Sequence, residues 1–177
     1  MNFLATISVL KALNLDFSTI MKKLINIGPP EGRGKLYTIN RFKTQFKLLD
    51  DSYNANPLSV KNAIHNFSNL RKNNFKKYLL LGEMLELGSR SDFYHKDLSK
   101  VINNSDIDKL FVFGNMTLNT YKHTLKKKRG NVLQNLDDFD DVFRNIIKKN
   151  DYLLLKGSNA TGLNFLAKQL IKGKNVI

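Results

Sequence analysis

The segment with the most unusual composition is LLDDSYNANP, which runs from Leu48 to Pro57. It places two aspartates and two asparagines directly after an apolar run. Carboxylate oxygens beside an amide-rich loop could accept hydrogen bonds from the hydroxyls of a ribose. A second interpretation is equally open at this point. The segment could be an elaborate turn in which Asn56 or Ser59 caps a helix that starts at Pro57.

Three further polar segments also follow apolar runs, namely GEMLELGS from Gly82, GNM from Gly114 and KGSNATG from Lys156. Ligands of open α/β sheets gather at the carboxyl ends of the strands, so we expect these segments to line a site. The last segment is not a Walker phosphate loop, because Gly162 is followed by Leu163 rather than by lysine and a hydroxyl residue.

The elements that must position these segments alternate between strand-like and helical patterns. Short apolar runs predict strands at 36–39, 46–49, 78–81, 110–113, 131–133 and 152–155. Apolar residues at helical spacing predict helices at 59–71, 92–102, 117–125, 139–147 and 163–171. This alternation predicts an α/β fold with a Rossmann-like, doubly wound and mostly parallel sheet from about Lys35 onward.

The first 26 residues show a different pattern, that of two short helices before the breaker segment GPPEGRG. Their apolar positions form two faces, Phe3, Leu4, Ile7, Leu10 and Leu13 on one and Phe17, Ile20, Met21 and Leu24 on the other. Such a pair could hardly bury its own apolar faces. We therefore expect it to belong to another unit, with Met1 as a truncation point.

Composition narrows the function classes. The chain has no cysteine, which excludes disulfides and thiolate-ligated metals, and no apolar run approaches the roughly 20 residues of a membrane span. The net charge is +14, yet only residues 126–129 form a basic run, and no aromatic residues interleave with it. We therefore predict a cytoplasmic protein that attracts anionic small molecules rather than nucleic acid.

Taken together, the motifs resemble those of MurF-type ligases. DDSYNANP, with GRG before it, LGEMLELGS and His95 after it, and LLKGS near the end, is similar to the ordered motif set of that family. The opening NFLATISVLKALNL similarly resembles the helix that closes the family's central ATPase domain. The resemblance implies that residues 1–30 end that ATPase domain and that residues 31–177 form a Mur ligase C-terminal domain.

The resemblance implies a nucleotide site on one side of this domain. Arg33 matches the family arginine that reaches ATP phosphate when the domains close, a task that suits a two-pronged guanidinium. Asp51 matches the acidic residue that approaches the ribose. Tyr53, Asn54 and Asn56 match the rest of that loop.

The resemblance also implies contacts with the acceptor substrate. Glu83, where the family usually has aspartate, would hold the incoming ammonium, although a helix-start cap or a solvated acid is an open alternative. Lys156, Gly157 and Ser158 match a triplet that lies against the substrate, with donors for a carboxylate and room for close approach. Asn159 replaces the family's usual arginine. His95 matches a family histidine, and a lone histidine on a helix is more often structural.

The implied function is the C-terminal part of a ligase that uses ATP to join D-alanyl-D-alanine to UDP-N-acetylmuramoyl-tripeptide in peptidoglycan precursor synthesis. The implied cofactors are ATP and Mg²⁺, bound mainly by upstream domains, and we predict no metal ligands within the chain. Because the sequence holds no phosphate loop, we expect the chain to be inactive alone. We also expect it to be a monomer. Its partners would be the upstream ATPase and UDP-binding domains. The alternatives are another ligase of the superfamily or a free-standing nucleotide- or protein-binding domain.

Overall fold

The computed structural model describes residues 2–15, 28–70 and 75–172. The strands are β1 (Lys35–Arg41), β2 (Thr44–Asp51), β3 (Lys77–Gly82), β4 (Lys109–Phe113), β5 (Arg129–Leu133) and β6 (Tyr152–Lys156). The helices are α1 (Asn2–Ala12), α2 (Pro57–Ser68), α3 (Ser91–Asn103), α4 (Thr117–His123), α5 (Asp138–Phe143) and α6 (Leu163–Lys172). The second predicted helix of the N-terminal segment, around 17–24, lies outside the described residues.

The six strands form one sheet in the order β1-β2-β6-β3-β4-β5. Only β1 and β2 pair antiparallel, and every other pair is parallel. The β1–β2 connection is a two-residue hairpin turn, because Phe42 and Lys43 both have left-handed φ angles of 55° and 56°. The mostly parallel, Rossmann-like sheet predicted from the sequence is confirmed.

Side chains of the central strands alternate between two apolar cores, one on each face of the sheet. In β3, Tyr78 and Leu80 enter the core that contains α5 and α6, whereas Leu79 and Leu81 enter the core that contains α2 and α3. Both cores are built from side chains with almost no exposure. Helices therefore cover both faces of the sheet, and the strand ends are left to the loops.

Helix α2 shows how the DDSYNANP segment becomes a loop and then a helix. Asn56 is the N-cap: its Oδ1 accepts from the Ser59 N–H at 2.8 Å, and the Ser59 Oγ accepts from the Asn56 N–H at 3.0 Å. Pro57 occupies the first turn, where its missing N–H is harmless. The capping interpretation of Asn56 and Ser59 is thus confirmed, and it fixes where the loop ends.

Two helices are shorter than their predicted spans. Helix α4 ends at His123 because Thr124 is extended and its Oγ donates to the Thr120 carbonyl oxygen. Helix α5 ends at Phe143 and is followed by turns. Helical spacing alone overestimated both lengths.

Helix α1 carries exposed apolar side chains, among them Leu4 with 69% and Val9 with 57% of their surface accessible. None of the helices in the described ranges is long and apolar enough to cross a membrane. The assignment of residues 1–30 to a preceding domain stays a prediction.

Candidate functional site

The predicted polar segments meet at the carboxyl edge of the sheet. Strand β6 lies between β2 and β3, so the loop 52–56 after β2, the loop 83–87 after β3 and the loop 157–162 after β6 are neighbours. The loop 114–116 after β4 lies next in line. This insertion of the last strand between two earlier ones brings together segments about 70 to 100 residues apart.

Arg33 is joined to the loop after β2. The Tyr53 N–H donates to the Gly32 carbonyl oxygen at 3.0 Å, and the Gly34 N–H donates to that of Asp50 at 2.8 Å. The exposed Arg33 guanidinium lies over the Tyr53 ring, 4.7 Å from its centroid. Stacking of this kind holds a guanidinium in place while leaving its N–H groups available to an anion.

The two consecutive aspartates have different environments. Asp50 is buried, and its Oδ1 accepts from both the N–H and the Oγ–H of Ser52. Asp51 points to the other face of the strand and keeps 26% of its side chain exposed. Asp51 is therefore the more exposed of the two carboxylates, whereas Asp50 lines one of the two cavities described below. Contact between Asp51 and a ligand stays a prediction.

Asp51 is paired with the buried Lys156. The Lys156 Nζ lies 3.4 Å from Asp51 Oδ2, and only 1% of its side chain is exposed. Burial raises the pKa of the Asp51 carboxyl above its usual value, and the charge of Lys156 opposes this shift. Burial likewise lowers the pKa of Lys156, opposed by Asp51. The two groups thus depend on each other for charge compensation.

Ser158 joins the last loop to the other two. Its N–H donates to the Glu83 carbonyl oxygen at 2.9 Å, and its Oγ accepts from the Leu85 N–H at 3.0 Å. The same Oγ lies 3.5 Å from the Ala55 carbonyl oxygen, as a donor. Ser158 is itself buried.

The Glu83 carboxylate accepts a hydrogen bond from within the protein. Its Oε1 accepts from the Met116 N–H at 2.9 Å, just before α4 begins. Gly114, with φ of 101°, makes room for it, since a Cβ there would lie 2.5 Å from Glu83 Cγ. The structure therefore supports the helix-start cap among the alternatives for Glu83, and contact with a substrate ammonium stays a prediction.

His95 has a structural role. The ring is fully buried, Nε2 accepts from the Met84 N–H at 3.0 Å, and Nδ1 donates to the Ser91 carbonyl oxygen at 2.9 Å. These partners fix the neutral tautomer with the proton on Nδ1. His95 thereby anchors the loop after β3 to α3.

Two cavities flank the loop that follows β2. One of about 380 Å³ is lined by Tyr53, Asn54, Asn56, Leu85, Glu86, Ser158 and Asn159 among others. The other, of about 500 Å³, is lined by Glu31, Asp50, Tyr53, Asn159, Lys168 and Lys172 among others. Tyr53 and Asn159 border both cavities. Sequence reasoning did not identify the two α6 lysines, because their helical spacing resembles that of any solvated face.

Two residues of the basic run 126–129 donate hydrogen bonds to carbonyl oxygens at the ends of helices. The Lys128 Nζ donates to the carbonyl oxygens of Ile102 and Ser105 at 3.0 and 2.5 Å. Arg129 donates to those of Thr124 and Lys122 at 2.9 and 2.7 Å. Lys128 and Arg129 therefore cap the ends of α3 and α4, which explains half of this run without a nucleic acid.

Across residues 2–15, 28–70 and 75–172, no three histidine, aspartate or glutamate side chains are grouped to hold a metal ion.

The sheet order, the helices on both faces and the joined loops at the strand ends define a Rossmann-like α/β domain with a polar cleft at its carboxyl edge. The sequence profile of the family described as "Mur ligase, glutamate ligase domain" matches residues 37–159, and the chain belongs to this family. The recognition made from the motifs is thereby confirmed.

The relatives that this chain resembles carry the name UDP-N-acetylmuramoyl-tripeptide–D-alanyl-D-alanine ligase. The chain is 29% identical to that of Buchnera aphidicola subsp. Baizongia pistaciae over 173 residues, which is 97% of this chain and 36% of the relative. It is 33% identical to that of Bacillus subtilis over 129 residues, 71% of this chain and 28% of the relative. The chain thus spans about a third of the length of these relatives.

Solved structures agree on the fold. The MurF ligase of Thermotoga maritima in complex with ADP superposes with a TM-score of 0.76 and 23% identity, covering 97% of this chain and 37% of that one. The alanine-adding ligase MurC of Thermotoga maritima gives a TM-score of 0.64 and 16% identity, covering 93% of this chain and 36% of that one. At these identities the likeness shows the fold alone.

Proposed function

We propose that the chain is the C-terminal domain of an ATP-dependent, cytoplasmic ligase that joins D-alanyl-D-alanine to UDP-N-acetylmuramoyl-tripeptide. The observation that carries the proposal is the meeting of three motif loops at one edge of the sheet, in a chain whose relatives bear that ligase name. In this proposal the domain closes over ATP held by upstream domains, which also supply the Mg²⁺ ligands.

The nucleotide side of the cleft consists of Arg33 and the loop after β2. The residues present fit a nucleotide: the exposed Arg33 guanidinium suits a phosphate, and the partly exposed Asp51 carboxylate suits a ribose hydroxyl. Tyr53 keeps the guanidinium in place by stacking, while Asn54 and the cap Asn56 shape the loop. Closure would bring these groups to the nucleotide and exclude water from the reacting carboxylate.

The acceptor side of the cleft is formed by the loops after β3 and β6. Asn159 is exposed and borders both cavities, so we assign its amide to the grip on the acceptor carboxylate. Gly157 lets the chain approach closely at this point. The Glu83 carboxylate keeps the predicted role of meeting the ammonium through the oxygen that does not accept from Met116.

The test is phosphate release with ATP, UDP-N-acetylmuramoyl-tripeptide and D-alanyl-D-alanine, using the chain alone and then mixed with upstream domains of a MurF ligase. We expect release only in the mixture. Arg33→Met and Asp51→Asn should each reduce kcat/KM for ATP at least about tenfold, the order expected when one charged hydrogen-bonding group is lost.

The matched control is Arg144→Met. Arg144 is also exposed and lies over an aromatic ring, that of Phe42, 5.9 Å from its centroid, but at the opposite edge of the sheet. Its replacement should leave ATP kinetics unchanged. A folded mixture that releases no phosphate would replace the ligase proposal by that of a non-catalytic binding domain. An active mixture in which all three variants behave alike would overturn the assignment of Arg33 and Asp51 to the nucleotide.

A further inference from the structure

Lys156 already has a full set of partners inside the protein. An ammonium group has three donors. The Lys156 Nζ lies 3.4 Å from Asp51 Oδ2 and donates to the Asp51 carbonyl oxygen at 3.2 Å and to the Asn54 carbonyl oxygen. All three acceptors belong to the end of β2 and the loop that follows it. With 1% of its side chain exposed, Lys156 has little access to a ligand.

Ser158 is engaged in the same way with the loop after β3. Its N–H and Oγ bind the Glu83 carbonyl oxygen and the Leu85 N–H, and its Oγ also faces the Ala55 carbonyl oxygen. Two residues of one short segment therefore hold two different loops.

The backbone of Gly157 is closely packed between neighbouring elements. A Cβ at this position would lie 3.0 Å from Leu163 Cδ1 and from Thr161 Oγ1, and 3.1 Å from Gly82 Cα. The backbone is thus wedged between β3 and the start of α6, where only glycine fits without displacement of a neighbour.

We propose that the segment Lys156–Ser158 is an internal connector, in which Lys156 positions Asp51 and its loop and Ser158 positions the loop 83–87. Neither side chain then donates to the acceptor substrate, contrary to what the motif resemblance implies. This inference rests on the proposed function for what the two loops bind. The connector links the nucleotide side of the cleft to the acceptor side.

Electrostatics favour this role over direct contact with a substrate. If Lys156 turned toward a substrate carboxylate, two carbonyl oxygens would lose its hydrogen bonds and the partly buried Asp51 carboxylate would lose its nearest compensating charge. Burial already raises the pKa of Asp51 and lowers that of Lys156, so separating the pair would favour loss of both charges.

The first test follows hydrogen exchange in the full chain, which needs no ligase activity. Lys156→Met keeps an unbranched apolar side chain in place of the lysine stem and removes its donors. We expect the amides of residues 53–56 to exchange at least about tenfold faster. The matched control is Lys77→Met. Lys77 also has 1% of its side chain exposed and donates to two carbonyl oxygens at 2.6 Å, those of Ser68 and Leu70, but at the amino edge of the sheet.

Selective loss of protection at 53–56 in Lys156→Met, absent from Lys77→Met, supports the connector. Unchanged exchange there, or the same pattern in both variants, overturns it. Ser158→Ala should likewise speed exchange of the Leu85 amide, whereas Ser99→Ala, which removes another buried serine hydroxyl, should not.

The second test separates positioning from substrate contact in the reassembled ligase. A positioning role predicts that Lys156→Met raises KM for ATP about tenfold and leaves KM for D-alanyl-D-alanine within about twofold. A rise confined to KM for the dipeptide overturns the inference. If the unsubstituted mixture is inactive, the proposed function fails, and the exchange measurement still decides the connector.

Discussion

The contact between Gly114 and Glu83 yields a prediction whose size can be worked out from the structure. Gly114 has φ of 101°, and a Cβ added there would lie 2.5 and 2.6 Å from Glu83 Cγ and Cδ. In Gly114→Ala the Glu83 side chain must move, and its hydrogen bond with the Met116 N–H is lost. The variant therefore carries two costs, backbone strain and the lost hydrogen bond.

Each cost is about 1 kcal/mol. Alanine at a left-handed φ costs about 1 kcal/mol after the entropy gain from the unfolded chain is subtracted. A partly exposed hydrogen bond to a carboxylate contributes about 1 kcal/mol. We therefore expect Gly114→Ala to lower the free energy of unfolding by about 2 kcal/mol. Gly34→Ala should cost about 1 kcal/mol, because Gly34 has φ of 81° and no described atom within 4 Å of an added Cβ.

Urea unfolding of the full chain measures these free energies. Glu83→Ala removes both clashing atoms and should by itself cost about 1 kcal/mol. The double variant Gly114→Ala/Glu83→Ala should then cost about 2 kcal/mol rather than the additive 3 or so, because the hydrogen bond is lost only once. Additive losses, or a Gly114→Ala no worse than Gly34→Ala, would refute the proposed anchoring of the β4–α4 loop by Glu83.

The remaining predictions also concern side chains whose partners the structure identifies. His95→Leu replaces the ring by an apolar side chain of similar volume and leaves the Met84 N–H unpaired, so urea unfolding should show a loss of about 2 kcal/mol. A loss smaller than about 0.5 kcal/mol would contradict the anchoring role. Hydrogen bonds from two lysines hold the pKa of Asp97 below its usual value of 3.8. The free energy of unfolding should therefore be higher for the unsubstituted chain than for Asp97→Asn by an amount that is constant at neutral pH. This difference should shrink as the pH falls below 3.8 and through the lowered pKa of Asp97. Urea unfolding of both chains at about pH 6 and about pH 3 measures it. In the same assay, Arg129→Met should lower the free energy of unfolding by about 1 kcal/mol, because the carbonyl oxygens at the end of α4 lose their donor. Lys127 is exposed, and Lys127→Met should change this free energy by less than about 0.5 kcal/mol. Equal effects of the two variants would argue against the capping role of Arg129.

Much of the fold could be predicted from the sequence, because its signals are local. Apolar runs that end in glycine or polar residues predicted the central strands, and β3 and β6 lie where those runs are. Proline at 57 after Asn56 predicted the start of α2, since both residues act on the backbone next to them. The order of the motifs also predicted the family.

The ends of helices and strands were less predictable. Helical spacing continues past His123 and Phe143, but the helices stop there. At the hairpin, the apolar runs predicted strands only at 36–39 and 46–49, whereas β1 and β2 continue to a turn of two residues at Phe42 and Lys43. Pairing with a neighbouring strand extends a strand beyond what its own composition favours.

Which polar groups remain available to a ligand was decided only by the tertiary structure. The sequence supplies Lys156, Glu83 and His95 only as residue types, and a residue type has the same donors and acceptors wherever it lies. In the fold, the partners come from far along the chain: the acceptor of Lys156 at Asn54 is 102 residues away, and the donor to Glu83 at Met116 is 33 residues away. The order of the strands determines which of these groups lie next to each other. Burial then requires that they form hydrogen bonds, because an unpaired polar group inside the protein costs more free energy than one hydrogen bond contributes. The sequence by itself therefore determined the helices and strands and the polar groups that the loops contain. The packing of β6 between β2 and β3 determined which of those polar groups remain available to a ligand at the cleft.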